Sequence, residues 1–101
     1  MDWRREARRA LREYPRAKRR NGEADQAVIF AVEAALKMQD EYYNAAARRK
    51  MVELVYFRAT HTMQGAAMEC GYSIETVWKW NVEVLAAVYM AVLMQKSKPG
   101  A

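Results

Sequence analysis

Hydrophobic positions return every three or four residues along most of this chain, a spacing that predicts α-helices. The opening stretch shows the spacing in four apolar residues: Trp3, Ala7, Leu11 and Tyr14. Asp2 is a good helix N-cap, and Pro15 disfavours continuation of a helix, so we predict a first helix over 2–14. A basic turn over 16–22, ending in Asn-Gly, is predicted to follow it.

The middle of the chain holds no glycine or proline between Glu23 and Gln64. That interval is too long for one helix of a small domain, so we divide it near 40–44 into helices over about 23–40 and 45–58. Inward faces are predicted from the spacing of the mostly apolar residues on each helix. The inward residues predicted for the first helix are Val28, Val32, Ala35, Leu36 and Gln39. Those predicted for the second helix are Met51, Leu54, Val55 and Arg58, with Val52 and Tyr56 on either side of them.

Residues 63–82 have the pattern of a helix-turn-helix. Ala67 is small enough to let a second helix approach, and Gly71, four residues later, can take the positive φ that ends a helix. Ser73 offers a cap for the next helix, with Thr76 at its third position. Three apolar residues then return at helical spacing: Ile74, Val77 and Trp80. A plain helical hairpin could carry the same pattern, but we favour the helix-turn-helix.

A rotation of 100° per residue divides the second of these helices into two faces. The face centred on Val77 is predicted to point inward and includes Trp80, Asn81, Val84 and Val88. The far side, where a recognition helix would meet base edges and phosphates, holds Glu75, Thr76, Lys79 and Glu83. Trp78 falls between the two faces. We expect it to pack on another helix, the alternative being contact with sugar or a thymine methyl group.

Residues 84–95 carry no charge, and at 12 residues this segment is too short to span a bilayer. A helix that is apolar all round is buried on all sides, and so small a chain offers little cover. Ala86, Met90 and Met94 point away from the Val77 face. We therefore predict a homodimer through this C-terminal helix, the alternative being complete burial by the helix at 23–40. The dimer contact is predicted to involve some of these residues: Leu85, Tyr89, Met90, Leu93 or Met94.

The basic residues concentrate at the start of this 101-residue chain of net charge +5. Residues 1–20 hold nine basic residues against three acidic ones, a net charge of +6. Such a helix or arm suits a polyanion, because each phosphate that it neutralises releases counterions; a solvated helix face is the alternative. Its candidate phosphate contacts are five arginines: Arg4, Arg5, Arg8, Arg9 and Arg12. We expect an all-α bundle, with 1–20 as the basic helix, 23–96 as the helical domain with an extended last helix, and 97–101 as a flexible tail.

Catalysis, a cofactor and a metal are not expected from this sequence. Its one histidine, His61, and one cysteine, Cys70, are too few for a nucleophile with an oriented base or for a structural zinc site. A lone cysteine forms no internal disulfide, which fits a reducing compartment. Neither a secretory signal nor a long enough apolar stretch is apparent. We therefore expect a cytoplasmic protein without a membrane span.

Two blocks resemble the RinA-like phage transcriptional activators, relatives of the ArpU-type phage regulators. They are MDWRREARRALREY at the start and VYFRATHTMQGAAMECGYSIETVWKWNVEVL further on. The C-terminal part of that family looks like region 4 of sigma-70 factors. The resemblance implies a phage or prophage origin and control of late or packaging genes. It also implies DNA contacts by five residues: Ser73, Glu75, Thr76, Trp78 and Lys79.

Pattern, charge and resemblance together predict a sequence-specific regulator of transcription that binds double-stranded DNA. One alternative is a sigma-like module that docks on RNA polymerase or another phage factor without reading bases. The presence of a single lysine or arginine, Lys79, between residues 59 and 95 favours this alternative. Another alternative is a protein like the terminase small subunit, which shares the helix-turn-helix but assembles into larger rings or filaments.

Overall fold

Helix forms almost everywhere that the apolar spacing predicts it in the computed structural model, which describes residues 2–96. There are five α-helices: α1 (Trp3–Arg20), α2 (Gln26–Gln39), α3 (Ala45–Val52), α4 (Met63–Cys70) and α5 (Ile74–Lys96). A 3-10 turn over Glu23–Asp25 leads into α2, and a π-helical turn over Glu53–Phe57 continues α3. Residues 2–96 contain no strand, so the all-α prediction is confirmed. The predicted tail at 97–101 lies outside the described residues.

The first helix is longer than predicted, because α1 runs through Pro15 and ends at Asn21, where φ is 48°. Proline removes one backbone hydrogen bond and disfavours the helix around it. The contacts of the extra turns offset that cost: Ala17 is 1% exposed, and the Arg20 guanidinium lies 2.7 Å from an Asp25 carboxylate oxygen. The predicted basic turn over 16–22 is therefore wrong except at its last two residues.

Polar contacts join α1 to α2 around Glu33. The Tyr14 hydroxyl donates to its carboxylate at 2.7 Å and the Lys18 ammonium donates at 2.9 Å. Burial, followed by this hydrogen bond, raises the pKa of Tyr14 to about 12. Hydrogen bonds from Lys18 and Tyr14 lower the pKa of Glu33. The carboxylate thus holds the C-terminal half of α1 against α2.

The predicted division at 40–44 is confirmed, and so is the inward position of Met51 and Leu54 on the following helix, but that of Arg58 is wrong. In the π-helical turn the Arg58 N–H donates to the carbonyl of Glu53, five residues back, at 2.7 Å. Val52, the last residue of α3, and Tyr56, within the wider turn, lie in the core at 0% and 3% exposure. Arg58 is exposed instead, with an ion pair to Glu53 at 3.7 Å.

The inner face of α5 forms the centre of the core and packs against α1, α2, α3 and α4. All five residues predicted for this face are buried: Val77, Trp80, Asn81, Val84 and Val88. Leu85 is 1% exposed, and the Tyr89 ring lies 5.9 Å from that of Trp3 in the same chain. Leu85 is therefore covered within one chain, whereas Tyr89 is half-buried.

The outer face of α5 remains open to solvent along an apolar stripe, which we define as Val82, Ala86, Met90 and Leu93. Exposure is 41% for Val82, 56% for Met90 and 40% for Leu93. By length and composition alone, α5 is apolar enough to cross a membrane, with a mean hydropathy of 1.3 over its most apolar window, of which 44% is buried in the fold. The core helix of a globular protein meets the same two criteria, so this is weak support for a membrane span.

A buried arginine, Arg48 on α3, fixes α5 to the end of α2. Its guanidinium donates to the side-chain oxygens of Asn44 at 2.8 Å and of Gln39 at 2.9 Å. The same group lies 2.8 Å from a carboxylate oxygen of Glu83 on α5. That oxygen is buried, and the ion pair with Arg48 is its one polar contact among residues 2–96. Arg48 itself is 4% exposed.

Stacked rings extend the Arg48 contacts towards the turn between α4 and α5. The guanidinium lies 3.6 Å from the centre of the Tyr42 ring and 5.5 Å from that of Trp80. Trp80 in turn meets Tyr72 edge-on at 4.7 Å. Cation–π and edge-to-face contacts of this kind stabilise by about 0.5–2 kcal/mol each. The loop over 40–44 is thereby linked to the residues that begin α5.

Arg48→Ala is expected to lower the free energy of unfolding by about 2–4 kcal/mol, because it removes a buried guanidinium that contacts Gln39 and Asn44 and leaves half-buried Glu83 without its partner. Arg49→Ala is the matched control, since Arg49 pairs with Asp40 at 2.8 Å on the surface and exposed pairs contribute about 0–1 kcal/mol. Urea unfolding followed by circular dichroism measures both. Equal losses in the two variants would contradict the burial of Arg48.

Candidate nucleic-acid interface

The turn between α4 and α5 is built as the sequence predicts. The Thr62 hydroxyl caps α4 by accepting from the Gly65 N–H at 3.1 Å. The helix ends at Gly71, whose φ of 75° lies in the left-handed region that glycine favours. The N–H groups of Gly71 and Tyr72 both donate to the carbonyl of Ala67, at 3.0 and 3.2 Å. The chain therefore reverses sharply, with the last carbonyls of α4 satisfied.

Ser73 fixes the start of α5. Its hydroxyl oxygen accepts from the Thr76 N–H at 3.2 Å, which is the predicted N-cap contact. The same hydroxyl donates to the Thr76 side-chain oxygen at 2.9 Å. Both hydroxyls are therefore engaged with each other, and Thr76 is half-buried. Of the two, Ser73 is the more accessible to a ligand.

The first two turns of α5 expose the side chains of Glu75, Trp78 and Lys79. Trp78 is 49% exposed, so the expectation that it packs on another helix is wrong. Glu83, predicted to share this outer side, faces inward instead and pairs with Arg48. The surface of α5 that could contact base edges, which we call the reading surface, is thus shorter than predicted. It is confined to residues 73–79.

The five candidate arginines of α1 differ in their environment from the basic residues that follow them. Arg8 is half-buried and the other four, Arg4, Arg5, Arg9 and Arg12, are exposed. Within residues 2–96 none of the five forms an ion pair, whereas Arg16, Lys18 and Arg20 pair with Glu13, Glu33 and Asp25. The unpaired positive charge of α1 therefore lies mostly in its first ten residues, with exposed Arg19 near its end as a further unpaired arginine among residues 2–96.

That half of α1 lies beside the middle of α5. The Trp3 ring contacts Tyr89, and the Arg12 guanidinium lies 6.0 Å from the centre of the Tyr56 ring. The Tyr56 hydroxyl donates to the side-chain oxygen of Asn81. Arg12 is thus held near Asn81, three residues after Trp78, whereas the start of α1 lies at Tyr89, about three helical turns along α5 from Trp78. Since Ala7 and Leu11 are 0% exposed, residues 1–20 include a core helix rather than a free arm.

The outward surface of α4 is poor in positive charge. Met68 is 78% exposed, and Glu69 is exposed beside it. The Lys50 ammonium contacts this helix through a hydrogen bond that it donates to the carbonyl of Glu69 at 3.3 Å. Lys79 is the single lysine or arginine on α4 and the first three turns of α5. Phosphate contacts by this part of the surface would be few.

The two residues considered for catalysis, Cys70 and His61, have polar contacts within the fold. The Cys70 thiol lies 3.5 Å from the carbonyl of Ala47, and burial raises its pKa, which is opposite to what an activated nucleophile needs. His61 Nδ1 pairs with the Thr60 hydroxyl at 2.9 Å, and its other ring nitrogen lies 3.9 Å from Glu69. Among residues 2–96 no three side chains come together that could hold a metal ion.

The described residues define a small all-α bundle in which a sharp turn at Gly71 joins α4 to α5. No protein-family model, curated protein or solved structure matches the chain. The likeness to RinA-like phage activators therefore stays a prediction from the two sequence blocks that carry it.

Gly71→Ala is expected to destabilise the fold by about 1–2 kcal/mol, because a side chain in the left-handed region is strained. A steric clash does not contribute to this loss, since a Cβ added at Gly71 would meet no atom within 4 Å. Gly65→Ala is the control: it lies inside α4, where the new Cβ makes ordinary contacts at 3.5 Å, and a gain of about 0.5–1 kcal/mol is expected. Thermal unfolding checks both; a lower melting temperature for Gly65→Ala alone would contradict the geometry of the turn.

Proposed function

We propose that this chain is a sequence-specific, double-stranded DNA-binding regulator of transcription, of phage or prophage origin as its resemblance implies. The observation that carries the proposal is the sharp turn at Gly71 followed by a capped helix whose first turns expose polar and aromatic side chains. In a helix-turn-helix it is these positions of the second helix that meet base edges in the major groove.

Each exposed side chain at the start of α5 has chemistry suited to this role. The Lys79 ammonium can donate to guanine O6 and N7 or to a phosphate, and the Glu75 carboxylate can accept from cytosine N4. The Trp78 ring is exposed enough to contact a sugar or a thymine methyl group. Ser73 would contribute through its backbone and hydroxyl close to a phosphate.

The unpaired arginines of α1 would supply the affinity that α4 and α5 lack. They are held beside α5 by the contacts of Trp3 and Tyr56, so α1 and the start of α5 can meet one duplex together. Five guanidinium groups without carboxylate partners lose no ion pair when they bind phosphate. Affinity and base reading are thereby assigned to different helices.

We further propose that the chain binds DNA as a homodimer. The apolar stripe of α5 (Val82, Ala86, Met90 and Leu93) is the surface that a second copy would cover. Two copies read two half-sites, which offsets the small number of base contacts that one copy can make.

A second candidate function is a sigma-like module that docks on RNA polymerase or another phage factor. The observation that favours it is the surface of α4, where exposed Met68 lies beside Glu69 and no arginine or lysine occurs. An apolar and weakly acidic surface suits a protein partner better than a phosphate backbone.

DNA binding is expected to depend steeply on salt, and Arg5→Gln with Arg12→Gln should lower the slope of log affinity against log salt by about 1.8. The matched control is Arg16→Gln with Lys18→Gln, which removes the same charge from residues already paired with Glu13 and Glu33 and should change the slope far less. Substitution is preferable to deletion because α1 belongs to the core. Equal slopes for the wild type and the Arg5/Arg12 variant would assign the arginines to another partner.

Lys79→Ala and Glu75→Ala are each expected to weaken binding to a selected site by about 1–3 kcal/mol while leaving the melting temperature unchanged, since both side chains are exposed. Non-specific binding should change little for Glu75→Ala, which removes a charge that repels phosphate. Glu41→Ala, an exposed acidic residue before α3, is the control. Fluorescence anisotropy with selected and scrambled duplexes measures the difference. If both variants bind the selected site like the wild type, the docking module becomes the better explanation.

A further inference from the structure

We infer that two arginines of α1, Arg4 and Arg12, are its principal phosphate-binding groups and that aromatic rings hold them in position. The ring is that of Trp3 for Arg4 and that of Tyr56 for Arg12. This inference rests on the proposed function and names the arginines that would supply most of its sequence-independent affinity. Trp3 and Tyr56 are positioning residues, because they would act on DNA through the arginines that lie over them.

Two unpaired arginines among residues 2–96 lie over an aromatic ring. The central guanidinium carbon of Arg4 is 5.2 Å from the centre of the Trp3 ring. That of Arg12 is 6.0 Å from the centre of the Tyr56 ring. Burial raises the pKa of Tyr56, and the positive charges of Arg8 and Arg12 oppose that rise, as expected when both charges lie near the ring. The described residues provide no such ring for three other exposed arginines: Arg5, Arg9 and Arg19.

An aromatic ring orders an arginine without neutralising it. The negative face of the ring attracts the guanidinium, which keeps its full positive charge, whereas a carboxylate partner cancels that charge. Neither Arg4 nor Arg12 uses its guanidinium in a hydrogen bond or an ion pair within residues 2–96, so the N–H donors of both remain free for phosphate oxygens. Part of the side-chain ordering that phosphate binding requires is therefore already present in the free protein.

Both rings are themselves held by side chains of α5. The Trp3 ring lies 5.9 Å from the Tyr89 ring, and the Tyr56 hydroxyl donates to the side-chain oxygen of Asn81. Tyr56 is 3% exposed, so the core fixes its ring. The two partners on α5 are eight residues apart, and so are the two arginines on α1, which is about 12 Å along each helix. The two arginines are thus fixed relative to the helix that carries the reading surface.

Lysine substitution separates positioning from charge, because lysine keeps the positive charge but lacks the planar group that lies on a ring. Arg4→Lys and Arg12→Lys are each expected to weaken binding to a short duplex of random sequence about two- to fivefold. The slope of log affinity against log salt should stay the same, since no charge is lost. Arg5→Lys is the matched control: it makes the same chemical change at an exposed arginine without a ring and should weaken binding far less.

Removal of the Trp3 ring tests whether the ring is responsible. Trp3 is half-buried, so Trp3→Leu should leave the helices intact, which circular dichroism checks. In the Trp3→Leu chain, Arg4→Lys is expected to have no further effect on affinity. In the Trp3→Phe chain, which keeps a ring, Arg4→Lys should weaken binding again. A merely structural role of Trp3 would leave the effect of Arg4→Lys equal in all three backgrounds.

Fluorescence anisotropy at several salt concentrations distinguishes the outcomes. Equal weakening by Arg4→Lys, Arg12→Lys and Arg5→Lys would overturn the inference and keep DNA binding. An effect of Arg4→Lys that does not depend on the ring at position 3 would also overturn it. A wild-type chain that binds no duplex even at low salt would reject the proposed function, and the inference with it.

Discussion

Burial of the inner face of α5 is the constraint on which the rest of this structure depends. Val77, Val84 and Val88 are fully buried on it, and four other helices use it as their common surface. Burying one such side chain contributes about 1.5–3 kcal/mol. Because the candidate reading surface is the first part of this same helix, its position is set by the core and not by a loop. Side chains at residues 73–79 are therefore presented on a rigid element.

Polar groups within this core determine the position and the rotation of α5 against the other helices. Apolar side chains tolerate small slides of one helix against another, whereas a buried polar group keeps its partner only in one arrangement. Asn81 accepts from Tyr56, and Glu83 meets Arg48, so both the π-helical turn and α3 are tied to adjacent turns of α5. The rotation of α5 about its axis is thereby fixed, which decides which residues at its start face outward.

The sequence predicts those parts of the fold that depend on local chemistry. The αL position at Gly71 and the cap at Ser73 follow from residue type alone, and the inner face of α5 follows from its spacing. The helix through Pro15 does not follow from local spacing, because the contacts that offset the cost of the proline join Lys18 to Glu33 and Arg20 to Asp25, outside α1.

The π-helical turn and the ion pair of Arg48 were missed for related reasons. A pattern read at 3.6 residues per turn places Arg58 inward, whereas the π-helical turn leaves Arg58 exposed and Tyr56 buried. A charged residue within a helical pattern is predicted to be exposed to solvent unless a buried partner is known. Arg48 lies three and four residues before Met51 and Val52, which are both buried, and that spacing was the available signal.

The separation of charge from the reading surface has a consequence for how such a protein would find its site. Phosphate contacts by the α1 arginines would not depend on sequence, so they would hold the chain on any duplex and would weaken with salt. Base contacts by residues 73–79 would be few, so one copy would discriminate poorly between sites. A regulator of this kind would therefore take its discrimination from a second copy.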